Sequence, residues 1–383
     1  MKNVEHNVRA MWLLMVFALP LLIISCQNRT SLNEYDVPAI EVNASPSIVF
    51  SIDSIARLSH LVPLETLDGS LIGSIDKLIV TKDRIFVLDQ ERDRLLSFSP
   101  NGRFIGQVGR QGNGPQEYIS LTDVSFDVDG NQLYIWDRIK SNLLVFTKGG
   151  DYVETRHANF DGNSMTVVGN HVYLYYSSEN NPMQYDVISV DSNLQQMQCG
   201  YFPRMNISLP AMGKPCFTEE NGGRYYCSIY SNTLFQIDES GVKPFYRLDF
   251  GDNEMPYDRL MLLKNRPVDG IDSKKIHLGH VSGMHVSKNL CFFSFDEILG
   301  DSYGRRYLGI INAKENSIKT FGQYASSPLL IDMRLLYITD DQQLVYAIYP
   351  NRFNPIYYDE LRKYYPDVTP EDNPILVFFD LKQ

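Results

Sequence analysis

Ile85-Phe86-Val87-Leu88-Asp89 falls on Leu133-Tyr134-Ile135-Trp136-Asp137 at an offset of 48 residues, and the match runs on through the next turn and strand. Leu95-Leu96-Ser97-Phe98 falls on Leu143-Leu144-Val145-Phe146, and Asn101-Gly102 on Gly149-Gly150. A repeat of roughly 40–50 residues made of short apolar strands and Asn, Asp or Gly turns is the sequence mark of a β-propeller blade. The expected fold is therefore all-β. The two clean copies supply a template: an inner strand A, a turn, strand B ending at an Asp, a connection, strand C, a Gly-containing turn and an outer strand D. Trp136, Asp89 and Asp137 belong to that template, so packing explains the first and turn capping through backbone N–H groups the other two.

Strand and turn signals carry the template around six blades. Blade 1 spans about Gly73 to Val108 and blade 2 about Leu121 to His157. Blade 3 takes Met165–Val168, Val172–Tyr176 and Tyr185–Val190; blade 4 takes Pro215–Thr218, Tyr225–Tyr230, Leu234–Asp238 and Lys243–Phe250. Blade 5 takes Gly283–Val286, Leu290–Phe295, Tyr307–Asn312 and Ser317–Gly322, and blade 6 takes Arg334–Thr339, Leu344–Tyr349 and Ile375–Leu381. Blade 6 then wants a fourth strand, and the unassigned segment Ala56–Leu64 reads as one. Pairing of the N- and C-terminal strands would close the six-bladed β-propeller and remove its open edges.

The composition agrees with a folded, strand-rich chain: 44% hydrophobic and 12% aromatic, with 24 Tyr and 20 Phe among 383 residues. A formal charge of −11 leaves no basic footprint, so nucleic acid is not an expected partner. Lys2 and Arg9 precede an apolar run from Ala10 to Ile24, and Ser25-Cys26 follows. That is a secretory signal in which Ile23-Ile24-Ser25-Cys26 resembles a bacterial lipobox. The expected organisation is a lipoprotein signal peptide over residues 1–25, a tether over 26–53 lipidated at Cys26, and the propeller over 54–383. The membrane enters as a partner through the N-terminal lipid. Acidic residues appear only at Glu34 and Asp36, too far beyond Cys26 to fix which side of the outer membrane the protein faces. Cys199, Cys216, Cys227 and Cys291 allow three disulfide pairings, with buried free thiols the favoured reading.

Leu133-Tyr134-Ile135-Trp136-Asp137 followed by Asn142-Leu143-Leu144-Val145-Phe146, together with the Gly-rich link from Gly109 to Tyr118, resembles the NHL-type propeller repeat. With its lipobox, its Val62-Pro63-Leu64-Glu65 segment and Asn373 to Phe379, the chain is similar to six-bladed propeller lipoproteins of Bacteroides-like bacteria. The resemblance implies a fold and an envelope address but no chemistry.

Loop lengths single out one face. In a propeller the A–B and C–D turns lie on one side and the B–C and D–A connections on the other. Here the first set is short throughout. The second holds Ser177–Gln184, Gly251–Ser282 with a helix near Tyr257–Asn265, the long blade 5 loop Asp296–Arg306, and Pro350–Pro374 with a helix near Tyr357–Tyr365. Long loops on a rigid scaffold are where binding residues gather. The candidates are Arg110, Glu117 and Tyr118 in the link into blade 2, and Tyr303, Arg305, Arg306, Tyr357 and Tyr358 in the inserts.

His277, His280 and His285 are spaced H-x2-H-x4-H, which fits no metal motif, and no nucleophile elbow is present. No metal, cofactor or catalytic residue is expected. The reading is a non-catalytic binding or scaffold module of the cell envelope for a glycan, a peptide or a partner protein. Its rivals are a hydrolase or lyase acting at the channel mouth, which would need buried acids or histidines in the central pocket, and a structural subunit of an envelope complex.

Overall fold

The computed structural model describes residue 37 and residues 39–382, apart from 128–130, 177–182, 204–216, 229, 258–273, 300–301, 325–333 and 353–357. The architecture is all-β, and six sheets of antiparallel strands form a six-bladed propeller. Blade 1 is Lys77–Val80, Ile85–Asp89, Arg94–Phe98 and Phe104–Gln107. Blade 2 is Leu121–Asp127, Gln132–Asp137, Asn142–Thr147 and Tyr152–His157, close to the expected bounds.

The middle strands are apolar on both faces because each blade is packed between two others. In Ile85–Asp89 every residue is buried. Side chains alternate across a strand. Accordingly Ile85 and Val87 join a core with Val345 and Phe378 of blade 6, while Phe86 and Leu88 join one with Leu133 and Leu144 of blade 2. The outer strand Tyr152–His157 has lost this pressure and is half-exposed, with charge at Glu154 and Arg156.

Later blades depart from the expected bounds in instructive ways. Blade 3 gains an outer strand, Met197–Pro203, that the sequence pattern did not reveal. The inner strand of blade 4 is Thr218–Glu220 and runs past the expected end at Thr218, because the turn tightens to Asn221 and Gly222, both at positive φ; Pro215 and Cys216 of the expected strand lie outside the described residues. Blade 5 differs most. Its inner strand is His277–Val286, and the expected loop Asp296–Arg306 is instead a hairpin in which Leu290–Leu299 and Ser302–Asn312 run on together, pairing Ile298 with Tyr303. In the insert of blade 6 the helix is Tyr358–Arg362. Of the helix expected over Tyr257–Asn265, only Tyr257 lies among the described residues.

Blade 6 is Tyr337–Ile338, Gln343–Ile348, Ile375–Leu381 and Ala56–Pro63. The last two are antiparallel, with Ala56 opposite Leu381 and Pro63 opposite Ile375. Part of the expected tether belongs to the propeller as a strap. Ala39–Glu41 runs parallel to Arg247–Asp249 and makes blade 4 five-stranded. Thr320 Oγ1 donates to Asn43 O at 2.5 Å, and Val49–Phe50 then pairs with Gln323–Tyr324. Phe50 is buried, 5.2 Å from Phe321 centroid to centroid. The strap covers outer strands that would otherwise offer unpaired backbone groups.

Candidate functional site

The inner strands bring charged side chains to the central channel. Glu219 and Glu220 are adjacent on the inner strand of blade 4, so they point to opposite sides of it. Glu219 turns toward blades 1 to 3. It accepts Thr166 Oγ1 at 2.8 Å, the Phe126 N–H at 2.9 Å and Lys77 Nζ at 3.4 Å. Lys77 Nζ also donates to Asp123 Oδ1 at 3.2 Å and Val124 O at 2.6 Å. Glu220 turns toward blades 5 and 6. It accepts His285 Nδ1 at 2.6 Å and the N–H groups of Val286 and Ile338 at 2.8 Å each. Arg224 adds Nη2 to Phe126 O at 2.6 Å.

These bonds form a hub that ties blades together across the axis. Burial alone would raise the Glu219 carboxyl, but Lys77, Arg224 and the Phe126 N–H hold it below the usual carboxylate range. Glu219 and Glu220 border two cavities. The one of ≈ 300 Å³ opens among the A–B turns beside Lys82, Asn131, Lys148 and Asp340. The other, ≈ 190 Å³, lies toward the opposite face and is lined by Lys77, Phe217, Ser282, His285, Ser294 and Tyr324 among others. The hub thus divides the channel into a lower and an upper chamber.

The upper chamber meets an irregular stretch of backbone. The ladder between His277–Val286 and Leu290–Leu299 shifts register twice, between Gly279 and Ser282 and again between Ser282 and His285. His280 sits at φ +54 and Gly283 at φ +62 in these bulges. A left-handed conformation is costly for a residue bearing a Cβ, and such positions mark functional sites when the surroundings hold them in place. His280 is held firmly. Its N–H donates to Tyr257 Oη at 2.7 Å, its Nδ1 lies 2.7 Å from Asp296 Oδ2, and its ring centroid is 5.0 Å from that of Tyr303. Arg306 grips the same carboxylate with Nε at 2.7 Å and Nη2 at 2.8 Å. Burial pushes the Asp296 carboxyl up, but Arg306 and His280 outweigh it and hold the group below its ordinary range. The buried Nε2 of His280 has no hydrogen-bond partner among the described residues.

Of the residues singled out in the sequence, Tyr303, Arg305 and Arg306 come together on the blade 5 hairpin. Arg305 Nη1 donates to Pro46 O at 2.8 Å, which holds the strap. The others do not join them. Tyr118 is fully buried, takes a hydrogen bond from Gln107 Nε2 at 3.0 Å, and burial pushes its hydroxyl up to about 12. It is a core residue, turned inward from a polar loop. Glu117 folds that loop onto itself, accepting the Gly114 N–H at 2.7 Å and Arg110 Nε at 2.5 Å, while Arg110 is 79% exposed. Tyr358 is buried against blade 6 and donates to Pro350 O at 2.7 Å, so it packs the insert and does not join an aromatic surface. Tyr357, Cys26 and Cys216 lie outside the described residues.

The three histidines diverge: His277 faces Glu254 O at 3.4 Å, His280 meets Asp296 and His285 meets Glu220. Among the described residues no three His, Cys, Asp or Glu side chains gather as a metal site. Cys227 and Cys291 are buried and Cys199 is half-buried. Asp137 caps as expected and also reaches back, taking the Ile139 N–H at 3.1 Å and the Ile119 N–H at 2.7 Å. Trp136 is fully buried and donates Nε1 to Gly162 O at 2.7 Å. The sequence reading missed Lys77, Glu219 and Glu220. The available signal was an acidic doublet immediately before an Asn-Gly turn, in a strand whose counterpart in blade 1 ends in the apolar Ile79-Val80.

Among solved structures, the chain is similar to a protein of Bacteroides fragilis described as exported, at 16% identity and a TM-score of 0.68, covering 90% of this chain and 99% of that one. It is also similar to a DUF4221 family member of Bacteroides vulgatus, at 10% identity and a TM-score of 0.49, covering 86% of this chain and 98% of that one. The first likeness shows the fold. No curated protein matches the sequence. Among the described residues no helix is long and apolar enough to cross a membrane. Residues 37–380 match the model of a domain of unknown function, DUF4934, and the chain belongs to that family.

Proposed function

We propose that this protein is a lipid-anchored binding propeller of the bacterial cell envelope, which takes a glycan, a peptide or a partner protein on the side of its channel that holds the upper chamber. One observation carries the reading: the Glu219–Glu220 hub divides the channel, and toward the upper chamber the inner wall breaks its regular ladder, twice in His277–Val286 and once more between Leu121 and Asp123 of blade 2. The hub carboxylates themselves are engaged in bonds between blades, which is the behaviour of a packing element. The lipobox at Ile23 to Cys26 and the exported relative support the envelope address. Pairing of Ala56–Pro63 with Ile375–Leu381 supports a ring closed by its two terminal segments.

The test uses the full-length chain in a zwitterionic, sugar-free detergent, probed on glycan and peptide arrays. Ser282→Trp fills the upper chamber and abolishes binding, whereas Lys148→Glu at the lower mouth leaves it intact. Binding that survives the first and is lost with the second places the ligand on the wrong side for this reading, and silence across both arrays removes it. Independently, Cys26→Ala abolishes labelling by an alkynyl fatty acid and releases the protein from the membrane fraction.

A further inference from the structure

The upper chamber has a chemical character that narrows its ligand. Its volume of ≈ 190 Å³ is below the ~300–1,000 Å³ of pockets that enclose a drug-sized molecule. It therefore takes one ring-sized unit and not an extended chain.

The charged groups on its wall already have protein partners. Lys77 faces Asp123 and Glu219, and its ammonium places its three protons on Asp123, Val124 O and Glu219. Glu220 is met by His285 and two backbone N–H groups. At the rim Asp76 and Arg334 supply one charge of each sign, with Arg334 Nη2 3.5 Å from Asp76 O. An anion or a cation entering the chamber would shed water without gaining a counter-charge, which is costly.

His285 offers the chamber an acceptor. A carboxylate only accepts hydrogen bonds, so its contact with Glu220 requires a proton on Nδ1. In the neutral imidazole Nε2 is then an acceptor, and it is the ring nitrogen left for the chamber that His285 lines. The cross-strand partners Ser282 and Ser294 add two hydroxyls to the same wall. The bulge after Ser282 brings up Gly283, which has no side chain to fill the space. Phe217 and Met284 also line the chamber. Apolar surface together with uncharged donors and acceptors suits a ring with an apolar face and a fringe of hydroxyls.

We propose that the upper chamber binds a neutral, polyhydroxylated unit the size of a single sugar ring, with His285, oriented by Glu220, accepting a hydrogen bond from one of its hydroxyls at Nε2. This rests on the binding reading above and specifies the ligand at that site.

The probes are glucose, galactose, mannose and N-acetylglucosamine, their charged counterparts glucuronate and glucosamine, and the dipeptide Ala-Tyr. Each is titrated against the full-length protein in the same detergent by saturation-transfer NMR. At least one neutral sugar saturates, more tightly than either charged counterpart. His285→Ala weakens it tenfold or more, and His285→Gln, whose side-chain carbonyl again accepts, restores part of that loss. Circular dichroism melts confirm that both variants are folded. Two results overturn the assignment: no neutral sugar saturates, or one does so equally well in His285→Ala. A charged sugar or Ala-Tyr that binds in a His285-dependent manner without the neutral sugars also overturns it while leaving the binding reading in place. The binding reading falls only if the glycan and peptide arrays are silent as well.

Discussion

Blades 1 and 5 are built on the same plan and spend their residues differently. Blade 1 pairs Lys77 with Leu88 through Val80 with Ile85 without a register shift, from strands of 4, 5, 5 and 4 residues. Blade 5 lengthens its first three strands to 10, 10 and 11 residues and bulges the innermost twice. Asp89, a buried polar side chain of blade 1, accepts the Gly73 and Ser74 N–H groups. Blade 5 instead carries two histidines on carboxylates, His280 at positive φ and His285 at the end of the second register shift. A ring of packed blades tolerates irregularity only where other contacts hold it. The difference therefore separates residues that make the scaffold from residues the scaffold supports.

The comparison can be broken most severely through closure. Deleting residues 375–383 removes the partner of Ala56–Pro63 and exposes the faces of blade 6. The expected result is loss of the cooperative thermal transition by calorimetry; a variant that retains it shows that the ring does not depend on this pairing.

A smaller but still large effect belongs to the hub. Glu219→Ala leaves Lys77 with Asp123 alone and strips the Phe126 N–H and the Thr166 hydroxyl of their acceptor, and should cost about 3–5 kcal/mol in urea unfolding. The hub also predicts the acid response. A carboxyl held below its unfolded value of about 4.3 stabilises the fold above that pH, and the contribution is lost as pH falls through the lower folded value. Glu219→Gln should therefore be less stable than the parent at neutral pH, with the gap closing below pH ~4. A constant gap across that range would show that Glu219 is not the group titrating.

The smallest test contrasts two glycines. At Gly102, with φ +85 in the C–D turn of blade 1, a Cβ would overlap the carbonyl oxygen of Pro63. Gly102→Ala adds overpacking to left-handed strain and should cost about 2–4 kcal/mol. At Gly283, with φ +62, a Cβ meets nothing nearer than Ser294 Oγ at 3.8 Å. Gly283→Ala should cost only about 1–2 kcal/mol. Equal costs would mean that the bulge in blade 5 is as tightly packed as the turn in blade 1.

The legible part of the fold was the part repeated in side chains. Strands such as Ile85–Asp89 are apolar throughout because both of their faces are covered, and that survives translation into a one-dimensional pattern. The strap was not legible, since Ala39–Glu41 is held by backbone pairing and carries polar neighbours. Blade 5 misled for a related reason. Asp296 and Arg306 look like loop residues, yet each satisfies the other across the ladder at positions where blade 1 has already turned. The hub was hidden because Lys77, Asp123, Thr166 and Glu219 come from four blades and converge only in space. Tyr118 and Tyr358 show the converse: aromatic rings in polar connections read as surface and were in fact anchors.

The join between Ala56–Pro63 and Ile375–Leu381 also orders events in time. Ala56 emerges early from a ribosome or a translocon, and Leu381 follows only after every intervening blade. Contacts so distant in sequence form slowly, because the chain between them must first give up its freedom. Until then Ala56–Pro63 waits as an unpaired edge strand with buried-type residues at Val62 and Ala56. A partly made propeller of this design is most vulnerable to self-association in that interval, and the strap laid along blades 4 and 5 keeps the waiting strand close to the place it will fill.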